Sequence, residues 1–210
     1  SHIGYWNDHQ IIYLLKLLEH QKNNDPKKLE QLLTERIFSY ANVPYRIRSF
    51  NKIIENPKET IDFDFDAHTA VMDLDDELGS DGRLILNSDK TVYHVTLCEK
   101  ILVLTLAKVC NYVPGAGIWL NTQRPEWNDA NNALVGNGTS MVTVYYLKRF
   151  LKFFKNMIIN LDIDHVDISV EVLNWFNEVE SVIQESTRTS HTGIPENDRM
   201  AYVSKLGKVY

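Results

Sequence analysis

Ser140-Met-Val-Thr-Val-Tyr-Tyr-Leu-Lys-Arg-Phe-Leu-Lys-Phe-Phe-Lys-Asn-Met-Ile-Ile-Asn160 sets the class of this protein. The segment has an apolar pattern of helical period and carries five aromatic residues, Tyr145, Tyr146, Phe150, Phe153 and Phe154. The same period recurs on both sides of it. Upstream, Ile11, Ile12, Leu14, Leu15 and Leu18 form a broad stripe, with Asp8 placed as N-cap. A second helix follows Asp25-Pro26, with Asp25 as cap, Pro26 in its first turn, and Leu29, Leu32 and Leu33 on its apolar side. From Val95 to Tyr112 the residues are apolar nearly all round, which predicts a helix buried on several sides. Pro114-Gly-Ala-Gly117 stops that helix, and Ile118-Trp-Leu120 continues as a short extended run. Downstream, Asp167 to Thr187 gives another helix, and Pro195-Glu196 opens a last one.

Residues 39–66 are irregular, punctuated by Pro44 and Pro57, and Ile61 to Asp66 alternates as a short strand or exposed extended segment does. Gly79-Ser-Asp-Gly82 is a turn leading into a short strand or extended piece at Leu84-Ile-Leu86. The expectation is a mainly α protein with six or so helices and one or two short strands, residues 1–210 forming a single helical domain.

Length and charge narrow the classes of function. The chain has 210 residues, 44% hydrophobic and 24% charged, ordinary values for a globular protein. Its net charge of −6 argues against non-specific nucleic-acid binding, and Arg46 with Arg48 makes only a small local basic spot. The start has neither a basic n-region nor an apolar h-region, and the apolar run Ile101–Val109 is too short to span a bilayer. A cytoplasmic location without membrane contact is therefore expected. The opening lacks an initiating Met, so the chain is read as a piece of a longer protein, and the sequon Asn137-Gly138-Thr139 matters only in a secretory compartment. Cys98 and Cys110 stand twelve residues apart on one predicted helix, about 18 Å along its axis, so they cannot pair there and read as buried thiols.

The chemistry concentrates just before the aromatic helix. Arg124-Pro-Glu126-Trp127-Asn128-Asp129-Ala-Asn131-Asn132 holds two carboxylates, an indole, three carboxamides and a guanidinium. Burying that many polar groups without partners costs roughly 1–3 kcal/mol each, so the stretch is a solvated loop or a polar pocket. The indole favours a pocket for a sugar-like ligand, its ring taking the apolar face and the amides and acids taking the hydroxyls. A second cluster, Tyr5-Trp6-Asn7-Asp8-His9-Gln10, also precedes a long helix and repeats Trp-Asn-Asp. In an all-helical toroid the loops at one rim gather into one cleft, which would let the two clusters face each other. The plain alternative is that each Asn-Asp only caps a helix.

Other features read as structural. The acidic run Asp62, Asp64, Asp66, Asp73, Asp75, Asp76 and Glu77 lacks the twelve-residue calcium loop with its Gly and terminal Glu, and reads as a solvated face. His9, His68, His94 and His165 show no paired ligand spacing, so no metal is expected. Gly136-Asn-Gly138 before a helix reads as a plain turn, with a backbone phosphate cradle as the alternative.

Trp127-Asn128-Asp129, followed by Asn131 or Asn132 and Val135-Gly136, resembles the Asp-Trp-Asn-Asp-Gly-Met-Asn-x-x-Gly stretch of inverting glycoside phosphorylases of the cellobiose and chitobiose phosphorylase type. The resemblance implies that Asp129 is the general acid, that Trp127 lines the sugar subsite, and that Glu126 stands where the family has its first Asp. Trp6-Asn7-Asp8-His9 before Ile11–Leu15 is similar to the family's Ser-Asp-Asp segment, which gives Asp8 a sugar contact. Ala130 and Asn131 replace the family's Gly-Met, residues 39–94 have no counterpart, and the family's phosphate-binding His and Thr-Gly find no match.

What the resemblance implies is a partial (α/α)6 toroid that cleaves a glycosidic bond with inversion. Asp129 would be the proton donor; Trp127, Glu126, Asn128, Asn131 and Arg124 would shape the sugar site, with Asp8 and Trp6 on the opposing wall. The substrate would be a disaccharide or oligosaccharide, no cofactor is implied, and inorganic phosphate or water would be the acceptor. A homodimer is implied by the family alone. The competing expectation is a non-catalytic helical module that binds carbohydrate or protein, with Tyr5, Trp6 and Trp119 as exposed contact residues.

Overall fold

The computed structural model describes residues 8–120, 136–161, 163–189 and 196–209. Helix α1 (Asp8–Asn24) folds back into α2 (Pro26–Thr34) through Asp25, whose carboxylate accepts the Lys28 N–H at 2.9 Å while Pro26 occupies the first turn. Ile11, Leu15 and Leu18 of α1 and Leu29 and Leu33 of α2 are buried, the stripes that the helical period marks out.

The segment expected to be irregular contains regular structure. β1 (Tyr45–Ile47) pairs antiparallel with β2 (Ile61–Phe63), Tyr45 opposite Phe63, and α3 (Phe50–Glu55) lies between them. The alternation at residues 61–66 does mark a strand, but the strand ends at Phe63. Asp64 then accepts the Ala67 N–H at 2.9 Å and caps α4 (Phe65–Leu78). The acidic run therefore lies largely on a helix that the pattern conceals, because α4 buries only Val71 and so presents no apolar stripe. The expected turn at Gly79 is a short 3-10 helix (Gly79–Arg83) folded against α4; a side chain at Gly82 would stand 2.2 Å from the Leu74 carbonyl oxygen. Leu84 and Leu86 form single bridges, to Ala41 and Val92, rather than a strand.

Helix α5 (Leu97–Val109) begins two residues later than its sequence suggests, because the Thr96 hydroxyl caps it by accepting the Glu99 N–H at 3.1 Å. Beyond it β3 (Tyr112–Val113), β4 (Gly117–Trp119) and β5 (Thr139–Ser140) make a three-stranded antiparallel sheet in that order. Ser140 caps α6 (Met141–Asn160), its hydroxyl accepting the Thr143 N–H at 3.2 Å. Helices α7 (Val170–Thr189) and α8 (Glu196–Lys208) complete the chain. The protein is mainly α, as expected, with eight α-helices among the described residues. Five short strands in two sheets replace the one or two expected, since proline and glycine turns let very short extended runs pair.

Two buried clusters meet on α5. Leu97, Cys98 and Ile101 join α1, α2, β4 and α6 in one cluster, where Phe150 and Met157 are fully buried. Leu106 and Cys110 join Val172, Val179, Tyr202 and Leu206 of α7 and α8 in the other. That is the physical content of a helix apolar nearly all round. Both thiols are free and buried, as expected; burial pushes Cys98 up to about 11 and Cys110 to about 12. Among the described residues no helix is long and apolar enough to cross a membrane.

Candidate functional site

The polar segment emerges from a defined neck. β4 and β5 pair antiparallel, Ile118 opposite Ser140 and Trp119 opposite Thr139. Beyond the strands, the Leu120 N–H donates to the Gly138 carbonyl at 3.0 Å and the Gly136 N–H to the Leu120 carbonyl at 2.6 Å. The chain thus leaves the sheet at Leu120 and rejoins it at Gly136, with the two ends hydrogen-bonded to each other. Gly136 has φ 78°, a left-handed conformation that disfavours any side chain, and its Cα lies against Pro57: a Cβ there would sit 2.4 Å from the Pro57 carbonyl oxygen. Its amide is spent on Leu120. Gly136 is a turn residue, and the phosphate cradle weighed as an alternative does not include its N–H.

Trp119 belongs to the same neck. Its indole N–H donates to the Gly136 carbonyl at 3.2 Å, and the residue is half-buried. Its expected role as an exposed contact residue is corrected: the hydrogen bond turns the ring back onto its own hairpin. Tyr5, Trp6, Arg124, Glu126, Trp127, Asn128, Asp129 and Asn131 lie outside the described residues. Asp8 is the first residue of α1, with its side chain likewise outside them.

The two segments adjoin helices that pack together, α1 and α6. The Arg149 guanidinium meets the Glu19 carboxylate at 2.6 Å, and the Lys22 ammonium lies 5.5 Å from the centre of the Phe153 ring.

One buried acid escapes the sequence patterns. Glu99 is 2% exposed. It accepts the Tyr40 hydroxyl at 3.1 Å and the Ser169 N–H at 2.8 Å, with a further short bond from the Ser169 hydroxyl. Lys100 beside it donates to the Ser39 carbonyl at 2.8 Å and lies 4.1 Å from the centre of the Tyr40 ring. Burial raises the Tyr40 phenol well above its ordinary range, with the Glu99 charge acting in the same direction, and burial lowers the Lys100 ammonium. With its carboxylate supplied by donors from two separate segments, Glu99 is a brace between α5, the start of α7 and the chain at Tyr40. A single acid in an apolar helix gives no periodic signal, so only the fold reveals it.

The acidic run behaves as expected of a solvated face. Asp62 pairs with Arg48 at 2.7 Å, Asp75 with Arg83 at 2.6 Å and Glu77 with Lys90 at 2.5 Å. The Arg83 guanidinium holds the Asp75 carboxyl below its usual range. Among the described residues no three His, Cys, Asp or Glu side chains are grouped to hold a metal ion.

The chain matches no protein-family model, and no curated protein aligns with it.

Proposed function

We propose that this protein cleaves a glycosidic bond with inversion, as part of an (α/α)6 toroid. Asp129 is the proton donor to the departing sugar oxygen. Trp127 walls the sugar and raises the pKa of the Asp129 carboxyl by excluding water, keeping it protonated as an acid must be. Glu126, Asn128, Asn131 and Arg124 hold the hydroxyls, while Asp8 and Trp6 close the opposite side. Inorganic phosphate or water attacks from the far face of the ring. Retention would need a second carboxylate about 5 Å from the first, serving as nucleophile.

One observation supports this reading: β4 and β5, with Leu120 and Gly136 hydrogen-bonded to each other, form a neck that ties together the two ends of the segment carrying Glu126, Trp127 and Asp129. A site set on paired strands is held more rigidly than one on a free loop.

The test is a disaccharide panel assayed with the full-length protein, with and without phosphate, reading free sugar and sugar 1-phosphate. Turnover is expected, with inverted configuration at the released anomeric carbon. Asp129→Asn should lower it by about 10²–10⁴, the usual contribution of a general acid, while leaving the melting temperature nearly unchanged. Absence of turnover on every sugar, or an Asp129→Asn variant that remains fully active, overturns the proposal.

A further inference from the structure

A cavity of about 570 Å³ lies between the β1–α3 segment and the end of α8. Its volume falls in the range that small-molecule sites occupy, about 300–1,000 Å³. Ile53 and Asn111 are buried at its floor, and the Phe50 ring forms one wall. Arg46, Arg48 and Lys208 line it, and no acidic residue does, in a chain whose net charge is −6.

The three cations are not equivalent. Arg48 is committed, its Nε to Asp62 at 2.7 Å and its Nη1 to Glu59 at 3.1 Å. Arg46 lies directly across the ladder from Asp62, but that carboxylate is already taken by Arg48. Neither Arg46 nor Lys208 has an ion-pair partner among the described residues. They are far apart in sequence, so folding brings two like charges to one cavity.

The apolar wall is fixed as well. Gly207 is the last residue but one of α8, and a Cβ there would stand 2.0 Å from Cδ2 of Phe50. The Phe50 ring therefore lies against the helix backbone, and glycine is needed for room.

We propose that this cavity binds a small phosphomonoester with a compact, flat organic group. A phosphomonoester carries about −1.5 to −2 at neutral pH, which matches two unpaired cations where a carboxylate would neutralise only one. The Arg46 guanidinium offers a planar fork to two phosphate oxygens, and Lys208 a compact point charge to the third. The organic group rests on Phe50, with the side-chain amide of Asn51 at the rim. This site stands independently of the glycosidase proposal, because none of its residues belongs to that machinery.

The test is calorimetric titration of the full chain with phenyl phosphate, inorganic phosphate and benzoate at low salt. Phenyl phosphate should bind with one-to-one stoichiometry, at least tenfold tighter than either of the others. The double variant Arg46→Ala/Lys208→Ala should lose at least tenfold in affinity for it with an unchanged circular dichroism spectrum, both side chains being exposed. Gly207→Ala should push the Phe50 ring into the cavity and weaken binding to a similar degree. The proposal is overturned if phenyl phosphate does not bind at millimolar concentration, or if the double variant binds it as the parent does. Equal affinity for benzoate would refute the dianion, and equal affinity for inorganic phosphate would refute the role of the ring.

Discussion

Replacing Gly136 with alanine tests the neck that anchors the polar segment. Two effects are involved, and a second glycine separates them. Gly136 and Gly115 have nearly the same positive φ, 78° and 75°. Alanine at either site therefore meets a left-handed backbone, a strain of about 1–3 kcal/mol, set against a gain of about 0.4–1 kcal/mol from a stiffer unfolded chain. The surroundings differ. At Gly115 the new Cβ would lie 3.5 Å from the Arg199 guanidinium, an ordinary contact. At Gly136 it would lie 2.4 Å from the Pro57 carbonyl oxygen and 2.8 Å from its carbon, so backbone must move. Forcing extra volume into a packed site costs about 1–3 kcal/mol. Gly136→Ala should thus be less stable than Gly115→Ala by about that amount. For a chain of this length each kcal/mol lowers the melting temperature by about 2–4 °C, which predicts a gap of about 2–12 °C between the two variants. Differential scanning calorimetry of the two variants in one buffer measures it. Equal melting temperatures, or a more stable Gly136→Ala, would refute the claim that Gly136 is held against Pro57. Where sugar turnover is observed, Gly136→Ala should lower it well below both melting transitions, because a small displacement of the neck is carried to the segment it holds.

Two further outcomes follow from named contacts. Glu99→Ala strands the Tyr40 hydroxyl and the Ser169 N–H, at about 1–3 kcal/mol for each unsatisfied donor, so the urea midpoint should fall by the equivalent of about 2–6 kcal/mol; Glu99→Gln, which keeps one acceptor oxygen, should lose less than half as much. An alanine variant as stable as the parent would show that the brace contributes nothing. The hydrogen bond from Arg149 holds the Glu19 carboxyl below its usual range, so its stabilisation is fully present above the unfolded pKa of about 4.3 and fades as pH falls through the lower folded value. The stability difference between the parent and Glu19→Gln should therefore be flat near neutrality, no more than about 1 kcal/mol for so accessible a pair, and vanish in acid; a difference that grows on acidification contradicts the contact.

The long helices were legible because their signals are local. Asp25-Pro26 carries its own cap and first turn, and the stripe at Ile11, Leu15 and Leu18 repeats with helical period, so α1 and α2 stand where the pattern puts them. Pro114 to Gly117 turns the chain from β3 into β4 for equally local reasons, and the two glycines there adopt positive φ, while α5 ends at Val109, short of the expected Tyr112. Helix α4 was concealed because its surroundings leave most of it exposed, and without a buried face the hydrophobic period has nothing to mark. Strands β1, β3 and β5 escaped for the reason that two or three residues are too few to establish alternation.

Composition, caps and periodicity by themselves determined that this chain is mainly helical, where most of its long helices run, and that its polar chemistry gathers before α1 and α6. Those are properties of residues near one another along the chain, governed by backbone sterics, capping and one-sided burial. Only the tertiary structure decided that Arg149 meets Glu19, that Glu99 joins Tyr40 to Ser169, and that Arg46 and Lys208 share a cavity. Each of these depends on packing between residues from about sixty to more than a hundred and sixty positions apart, and no local propensity carries that information.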